Sequence, residues 1–442
     1  MNSPKKIGIW GSGVVGRSAI KYFLDKKDYK IVALADKKEP DSEFLEFLHE
    51  QNLTLSLDTK FLRNFTRDER EDNNNINFYL DENITDFLES CDQILASPGI
   101  DLRKYSSHTH KWLTEADIFR DNWKKPIIAI TGTIGKTSIV TLLSDVLKQN
   151  NIKVATGGNI GTGMLDLLEI EKDCDLAILE LSSFQLEYCK SFAPDLAIIT
   201  NIFPNHLDRH GDMQSYIKAK FNIFAHQKMG QKVLLPEELT QEIKKLVSEK
   251  KPQEISFFSS KTKLSHVIPN ISYPINWVII FKACELMKIE IKNLNIDNLE
   301  IPDHRVEFIR EFNGIEFYDD SKSTVCQATL AAVEKLKDKP IILFLGGISK
   351  GVDRSGLIKD LKDKVSQIIC FGSEAEELNK FCLENSIPST YSKTLEESFA
   401  ICLSKAQTGS RVLFSPSGAS FDLFKDYKDR GDKFKNLVKN LK

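Results

Sequence analysis

The 442-residue sequence has no apolar run near the ~20 residues that a bilayer-crossing helix needs, so membrane insertion is not expected. Its eight cysteines, Cys91, Cys174, Cys189 and Cys326 among them, include no Cys-x-x-Cys pair and no metal-like spacing. A disulfide framework is therefore not expected, and a reducing cytoplasm is the simpler setting. An excess of one charge is also missing. The 60 basic and 63 acidic residues leave a net charge of -3, which gives the whole chain no attraction for nucleic acid or an anionic membrane. The opening MNSPKKIGIW runs straight into a strand pattern and does not look like a signal peptide. There is no internal repeat, and the one mildly low-complexity stretch, Arg67–Asn77, reads as a surface loop.

Hydrophobic residues at 41% and charged residues at 28% describe a globular protein, and the length asks for two to four domains. Apolar strands alternate with amphipathic helices almost throughout, which predicts an α/β fold with mostly parallel sheets. Three blocks separate. The first has a strand at Lys6–Trp10, a glycine turn, a helix from about Arg17, and a strand at Lys30–Ala35 ending at Asp36. The second opens with a strand at Pro126–Ile130 and another glycine turn. The third begins near Pro302 and carries strands at Ile315–Tyr318, Ile341–Leu345, Gln367–Phe371 and Arg411–Phe414. Boundaries near 110 and 301 give domains at 1–110, 111–301 and 302–442.

The strongest local signal runs from Pro126 to Asn150, PIIAITGTIGKTSIVTLLSDVLKQN. A β-branched strand feeds a turn containing Gly132, Thr133 and Gly135, and Lys136 and Thr137 then open a helix. Ile139, Leu142, Leu143, Val146 and Leu147 recur at helical spacing and give that helix an apolar face. Small residues let backbone N–H groups approach phosphate oxygens, and the helix start adds a favourable dipole. Lys136 supplies a cation to the outer phosphates of ATP, and the Thr137 hydroxyl suits Mg²⁺. The match is a variant, since Ile130 stands where the usual pattern has its first glycine. The strand Asp175–Glu180 delivers a carboxylate, Glu180, to the end where ligands bind in open α/β sheets. The strand Asp195–Thr200 leads likewise to His206, Asp208 and His210.

Gly11-Ser12-Gly13-Val14-Val15-Gly16 fits G-x-G-x-x-G between a strand and a helix, with Asp36 closing the next strand. That is a Rossmann-like layout, with a diphosphate at the helix start and an acid near a ribose. Taken alone it suggests NAD. A dehydrogenase fused to an ATPase is an uncommon pairing, however, and a UDP-linked substrate presents the same diphosphate and ribose.

Together with motifs spread along the rest of the chain, the two turns resemble the Mur ligase family, and within it the branch that adds D-glutamate. The stretches that carry the resemblance are Ala96–Ile100, Ala129–Thr137, Gly157–Gly163, Leu179–Glu187, Asn205–His210 and Tyr216–Phe224, followed by His304–Phe308, Tyr318–Thr324, Leu345–Gly351 and Ser415–Phe434. The resemblance implies three domains: a Rossmann-like UDP-precursor domain, a central P-loop-type ATPase domain with a mostly parallel sheet, and a Rossmann-like C-terminal domain for the incoming amino acid. It implies a cytoplasmic ligase of peptidoglycan precursor synthesis that uses ATP and Mg²⁺ to join D-glutamate to UDP-N-acetylmuramoyl-L-alanine through an acyl phosphate. A monomer is expected.

Carried over by motif, Lys136, Glu180, His206, Lys220 and Lys322 are the candidate catalytic residues. Gly132, Thr133, Gly135, Lys136, Thr137, Asn276, Arg305 and Asp320 are assigned to ATP, with Asn276 toward the adenine. Thr137, Glu180, His206 and Lys220, the last as a carbamate, are assigned to Mg²⁺. Gly13, Val14, Val15, Asp36, Ser97, Gly99, Asn159, Ser182 and Gln185 are assigned to the precursor, and Lys350, Ser420 and Tyr427 to D-glutamate. From spacing alone Lys220 reads as a solvated helical lysine.

The chain departs from the family's pattern in several places. Ile134 stands where Asn is usual, SYPIN before Asn276 lacks a His-Asn pair, and Gly-Ile-Ser-Lys replaces Gly-Asp-Gly-Lys at Lys350. Ser417-Gly418 replaces Ala-Cys, and Tyr427 replaces Phe. Two alternatives stand beside the main one: a sister Mur or folylpolyglutamate-type ligase using another amino acid, and a degenerate relative that only binds nucleotide.

Overall fold

The computed structural model describes residues 3–57, 75–241, 254–262, 269, 271–300 and 302–442. It holds three six-stranded sheets. The first contains β1 (Lys5–Trp10), β2 (Tyr29–Asp36), β3 (Thr54–Leu57), β4 (Asn75–Leu80), β5 (Gln93–Ala96) and β6 (Trp112–Leu113), in the order β3-β4-β2-β1-β5-β6. The second contains β7 (Ile127–Thr131), β8 (Val154–Gly158), β9 (Leu176–Glu180), β10 (Leu196–Ile199), β11 (Lys232–Pro236) and β12 (Glu254–Phe258), in the order β12-β11-β10-β7-β9-β8. Every pairing in these two sheets is parallel. The third contains β13 (Glu307–Phe312), β14 (Ile315–Asp319), β15 (Ile341–Gly346), β16 (Gln367–Phe371), β17 (Ser389–Ser392) and β18 (Arg411–Phe414), in the order β13-β14-β18-β15-β16-β17. Only its edge pair β13–β14 is antiparallel.

The expected α/β class with mostly parallel sheets is the observed one. By compactness the chain divides into two units, residues 1–201 with 217–300, and residues 202–216 with 301–442. The first unit holds the first two sheets and the second unit holds the third.

Parallel strands covered on both faces need continuous apolar runs, and β7 is buried at all five positions. Against it lies the helix Lys136–Gln149, whose predicted stripe of Ile139, Leu142, Leu143, Val146 and Leu147 is at most 1% exposed. Each such side chain contributes ~1.5–3 kcal/mol by burial, so this packing fixes the turn between strand and helix firmly. Elsewhere three local expectations shift. The first helix spans Val14–Leu24, starting directly after Gly13 and three residues before Arg17, because the glycine turn is tight enough to pass straight into it. Asn75–Asn77, expected in a surface loop, open β4; their partners are β3 and β2, which a single-sequence pattern does not reveal. Residues 67–74 of that loop lie outside the described residues. All eight cysteines are buried free thiols.

Candidate active site

In each of the first two sheets the strand order reverses beside a glycine turn. The chain leaves β1 toward β2 on one side and later places β5 on the other; it leaves β7 toward β9 and β8, then places β10 on the far side. A crevice at such a reversal is the standard ligand position in an open parallel sheet.

At the first reversal Gly16 sits so close to the turn that a Cβ would lie 1.9 Å from the Gly11 carbonyl oxygen. Ser97, which follows β5, donates its N–H to the Trp10 carbonyl at 2.7 Å and faces Gly11 directly. Gly13, Val14 and Gly99 are exposed and Val15 is half-buried, so these residues form the rim of the crevice. Asp36 is not held out toward it. Its Oδ2 accepts from the Ser12 N–H (2.7 Å) and the Ser12 hydroxyl (2.6 Å), and its Oδ1 accepts from the Lys37 N–H (2.6 Å). The carboxylate that the pattern assigns to a sugar thus also staples the turn.

At the second reversal the turn is buried at Gly132 and Thr133 and half-buried from Ile134 to Thr137. Gly132 has φ +146, and a Cβ there would lie 1.9 Å from the Thr200 hydroxyl, so no other residue fits. Gly135, left-handed at φ +87, caps the helix Lys136–Gln149. Two residues that sequence patterns did not single out grip this loop from just past the end of β10. Asn201 takes both backbone groups of Ile134: its Oδ1 accepts the Ile134 N–H at 3.0 Å and its Nδ2 donates to the Ile134 carbonyl at 3.0 Å. Thr200 adds a hydroxyl bond of 2.7 Å to the same carbonyl. The loop is therefore held at Ile134 through its backbone, whatever side chain stands there. An Asn directly after a buried strand was the available signal.

Lys136 points its Nζ into the loop, donating to the carbonyls of Gly132 (2.9 Å) and Thr133 (3.1 Å). Thr137 is half-buried on the first helical turn. Asn276, at the start of the helix Pro274–Leu286, is buried with its Oδ1 against Gly135, while its Nδ2 donates to the Ser272 hydroxyl at 2.9 Å. SYPIN thus still brings its asparagine beside the phosphate loop.

Beneath the loop lie two buried ionisable groups. Lys220 is only 2% exposed, so the solvated lysine suggested by spacing is wrong: the helix Met213–Ala225 turns this position inward. Its Nζ donates to the Gly132 carbonyl at 2.8 Å and reaches the Thr131 hydroxyl at 3.4 Å. Burial holds its pKa well below the usual lysine value, nearby Lys136 lowers it further, and Glu180 opposes both. Glu180, ending β9, is likewise 2% exposed. Its Oε1 accepts from Asn159 Nδ2 at 2.9 Å, and its Oε2 is buried with no hydrogen-bond partner. An orphaned carboxylate oxygen beside a phosphate loop fits a hard divalent cation, whose ligands are oxygens. Ser182 and Gln185 sit just past Glu180 and form a capping box on the short helix Ser183–Leu186, so both have a structural role there.

The other expected residues belong to the second unit. His206 has φ +55 and caps the helix Leu207–His210 on the 202–216 segment. Asp320 is buried, accepting from the Val306 N–H at 3.2 Å and the Ser415 hydroxyl at 2.6 Å, and burial pushes its carboxyl up to about 6. The Arg305 Nε is buried without a partner. The Lys322 ammonium lies 5.1 Å from the centre of the Tyr427 ring, so the structure does bring these two together. Arg430, fully buried, ties the loops after β14 and β18 by donating to the Ser321 hydroxyl (3.0 Å), the Ser321 carbonyl (2.7 Å) and the Gly418 carbonyl (3.0 Å). Ser420 is buried on the loop after β18, and Lys350, half-buried at φ +55, sits on the loop after β15.

Residues 130–292 match the Mur ligase middle domain, and residues 304–418 match the Mur ligase glutamate ligase domain. The UDP-N-acetylmuramoylalanine–D-glutamate ligase of Clostridium tetani is 31% identical over 464 residues, covering 95% of this chain and 98% of that protein. The chain belongs to the Mur ligase family. The enzyme of the same name from Clostridium perfringens is 35% identical over 356 residues, covering 74% of this chain and 77% of its own. Among solved structures, the MurF ligase of Thermotoga maritima in complex with ADP aligns with a TM-score of 0.56 at 17% identity, over 81% of this chain and 92% of that one, a likeness of Mur ligase fold.

Proposed function

We propose that this Mur ligase joins D-glutamate to UDP-N-acetylmuramoyl-L-alanine in the cytoplasm at the expense of ATP, releasing ADP and phosphate, and that it acts as a monomer. The Clostridium relatives that carry this activity in their names, with one of them aligned end to end, support the substrates. The observation that carries the chemistry is the loop Gly132–Thr137 with Lys220 and Glu180 buried beneath it.

A carboxylate is a poor acyl donor because its charge repels nucleophiles. In the proposed reaction one carboxylate oxygen of the alanyl residue attacks the γ-phosphorus, ADP leaves, and an acyl phosphate results. The D-glutamate amine then attacks the acyl carbon and gives up a proton. The tetrahedral intermediate collapses to the amide, and phosphate departs with the oxygen that had attacked. Enzymes of phosphoryl transfer contribute mainly positioning and charge neutralisation. The N–H groups of Thr133 and Ile134 are already bonded to Asn201, so the backbone N–H groups at the start of the helix Lys136–Gln149, with the Lys136 ammonium, suit the phosphate chain, and Asn276 lies toward the adenine. Arg305, Asp320 and Lys322 are assigned to ATP and the transferring phosphate. The rim of Gly13, Val14, Val15, Ser97 and Gly99 is assigned to the precursor, together with Asp36, Asn159, Ser182 and Gln185. Lys350, Ser420 and Tyr427 are assigned to D-glutamate.

Mg²⁺ would be held by Thr137, Glu180, His206 and modified Lys220, and it would supply charge neutralisation at the phosphates. Burial lowers the pKa of Lys220 and so favours the free amine that adds CO₂, giving a carbamate and one proton, and so a second carboxylate-like ligand.

The test is ligation by purified protein with ATP, the UDP-precursor and a panel of amino acids, read by mass spectrometry. D-Glutamate is expected to give the single adduct. Product with L-alanine or a diamino acid instead, or with folate plus L-glutamate, would move the chain to a sister activity, and nucleotide binding without any product would make it a non-catalytic relative.

A further inference from the structure

Resting on that function, a second inference concerns how Lys350 is held. The loop Gly346–Gly351 is conformationally awkward: Gly347, Lys350 and Gly351 have φ of +70, +55 and +75. Lysine rarely adopts such a backbone, so its surroundings must impose it. Ile348 and Ser349 come directly before the lysine, and neither side chain carries a charge.

Two charged side chains far apart in sequence supply the constraint. Arg354, 4% exposed, donates through Nη1 to the Gly346 carbonyl at 3.0 Å and through Nη2 to the Gly347 carbonyl at 3.2 Å. The same Nη2 is paired with Glu374 Oε2. The other oxygen, Glu374 Oε1, accepts from the Ser349 N–H at 2.9 Å, the residue directly before Lys350. One ion pair therefore pins both arms of the loop, the first through two carbonyls and the second through an amide. The loop is joined in turn to the one carrying Ser420, because Ile348 and Ala419 exchange backbone bonds of 2.9 and 2.8 Å. Arginine suits this role because its planar fork reaches two carbonyls and a carboxylate at once, which a lysine point charge does not.

We propose that Arg354 and Glu374 are positioning residues for the amino-acid substrate: they fix the backbone at Lys350 so that its ammonium meets a carboxylate of the incoming D-glutamate. Neither residue touches the substrate itself. Their loss moves the affinity for one substrate and leaves the nucleotide site alone.

The test is steady-state kinetics of Arg354→Met and of the double variant Arg354→Met/Glu374→Ala, which leaves no buried charge unpaired and so guards against failure to fold. Both are expected to raise the KM for D-glutamate at least tenfold, with kcat at saturation within about threefold of wild type and the KM for ATP unchanged. Arg354→Lys is expected to rescue only part of the loss. Hydrogen exchange supplies a readout independent of substrate: the Ser349 amide is expected to exchange at least tenfold faster in the double variant. A normal D-glutamate KM in the folded double variant, equal rises in the KM for all three substrates, or unchanged Ser349 exchange would each overturn the proposal. Wild-type protein that ligates no D-glutamate would instead defeat the function proposed above, and the exchange result would still decide whether this pair holds the loop.

Discussion

The two glycine turns of the first unit are built to one plan and end in different chemistry. Each joins a central parallel strand to a helix at a reversal of strand order, and each uses glycine where a Cβ would strike the backbone or a neighbouring strand end. The turn at Gly11–Gly16 is exposed along its rim, holds no lysine, and has its nearest acid, Asp36, bonded to Ser12. The loop at Gly132–Thr137 holds Lys136 within it and has Lys220 and Glu180 buried below. A cradle of backbone N–H groups is enough to bind a diphosphate; charges placed in a dry setting are what equip a site to move a phosphoryl group.

The largest break in that contrast comes from Lys136→Ala. It leaves the second loop with the same backbone resources as the first, and ligation is expected to fall by ~10³-fold or more in kcat, measured as phosphate release. Lys220→Met, which keeps the volume and removes the amine, is expected to lower kcat by ~10²-fold with the fold intact by circular dichroism. Activity near wild type in that variant would remove Lys220 from the mechanism.

A crossed pair sharpens the comparison further. Asn201→Ala frees the loop at Ile134 and is expected to weaken ATP by ~10-fold while leaving the precursor untouched. Asp36→Ala frees the turn at Ser12 and is expected to do the reverse by a similar factor. Titration calorimetry with each ligand separates the two, and a variant that weakened both ligands equally would mean the turns are not independent.

A last test, on stability and not on activity, concerns a buried carboxylate that neither turn uses. Glu115 accepts from the Met164 N–H at 2.6 Å, its other oxygen is unpartnered, and burial pushes its carboxyl up to about 7 from an ordinary 4.5. A raised carboxyl binds its proton more tightly when folded, so it costs stability as pH rises from 4.5 to 7. Glu115→Gln removes that cost. The variant is expected to be more stable than wild type at pH 8, by about 3 kcal/mol at most, with the gap closing near pH 4. Thermal melts at the two pH values test the sign, and an equal gap at both would refute it.

Much of this was readable in the chain itself, for physical reasons. The strand-turn-helix at Pro126–Asn150 is a local pattern, and Glu180 is legible because a carboxylate ending an apolar strand must lie at the ligand end of the sheet. Lys220 was not legible from spacing, because its burial depends on where the helix Met213–Ala225 packs and not on its own sequence. Arg354 and Glu374 stand twenty positions apart and carry no motif; they meet only once the fold lays β15 beside β16. Asp36 was legible as a strand-end acid, but its bonds to Ser12 appear only once the turn has closed over it.

The most direct test of the mechanism follows one oxygen atom. Precursor labelled with ¹⁸O in its terminal carboxylate, turned over with ATP and D-glutamate, is predicted to deliver one labelled oxygen to each phosphate released. Phosphate free of label, with the expelled heavy atom carried into AMP or lost to water instead, would contradict activation of the carboxyl by the loop at Gly132–Thr137.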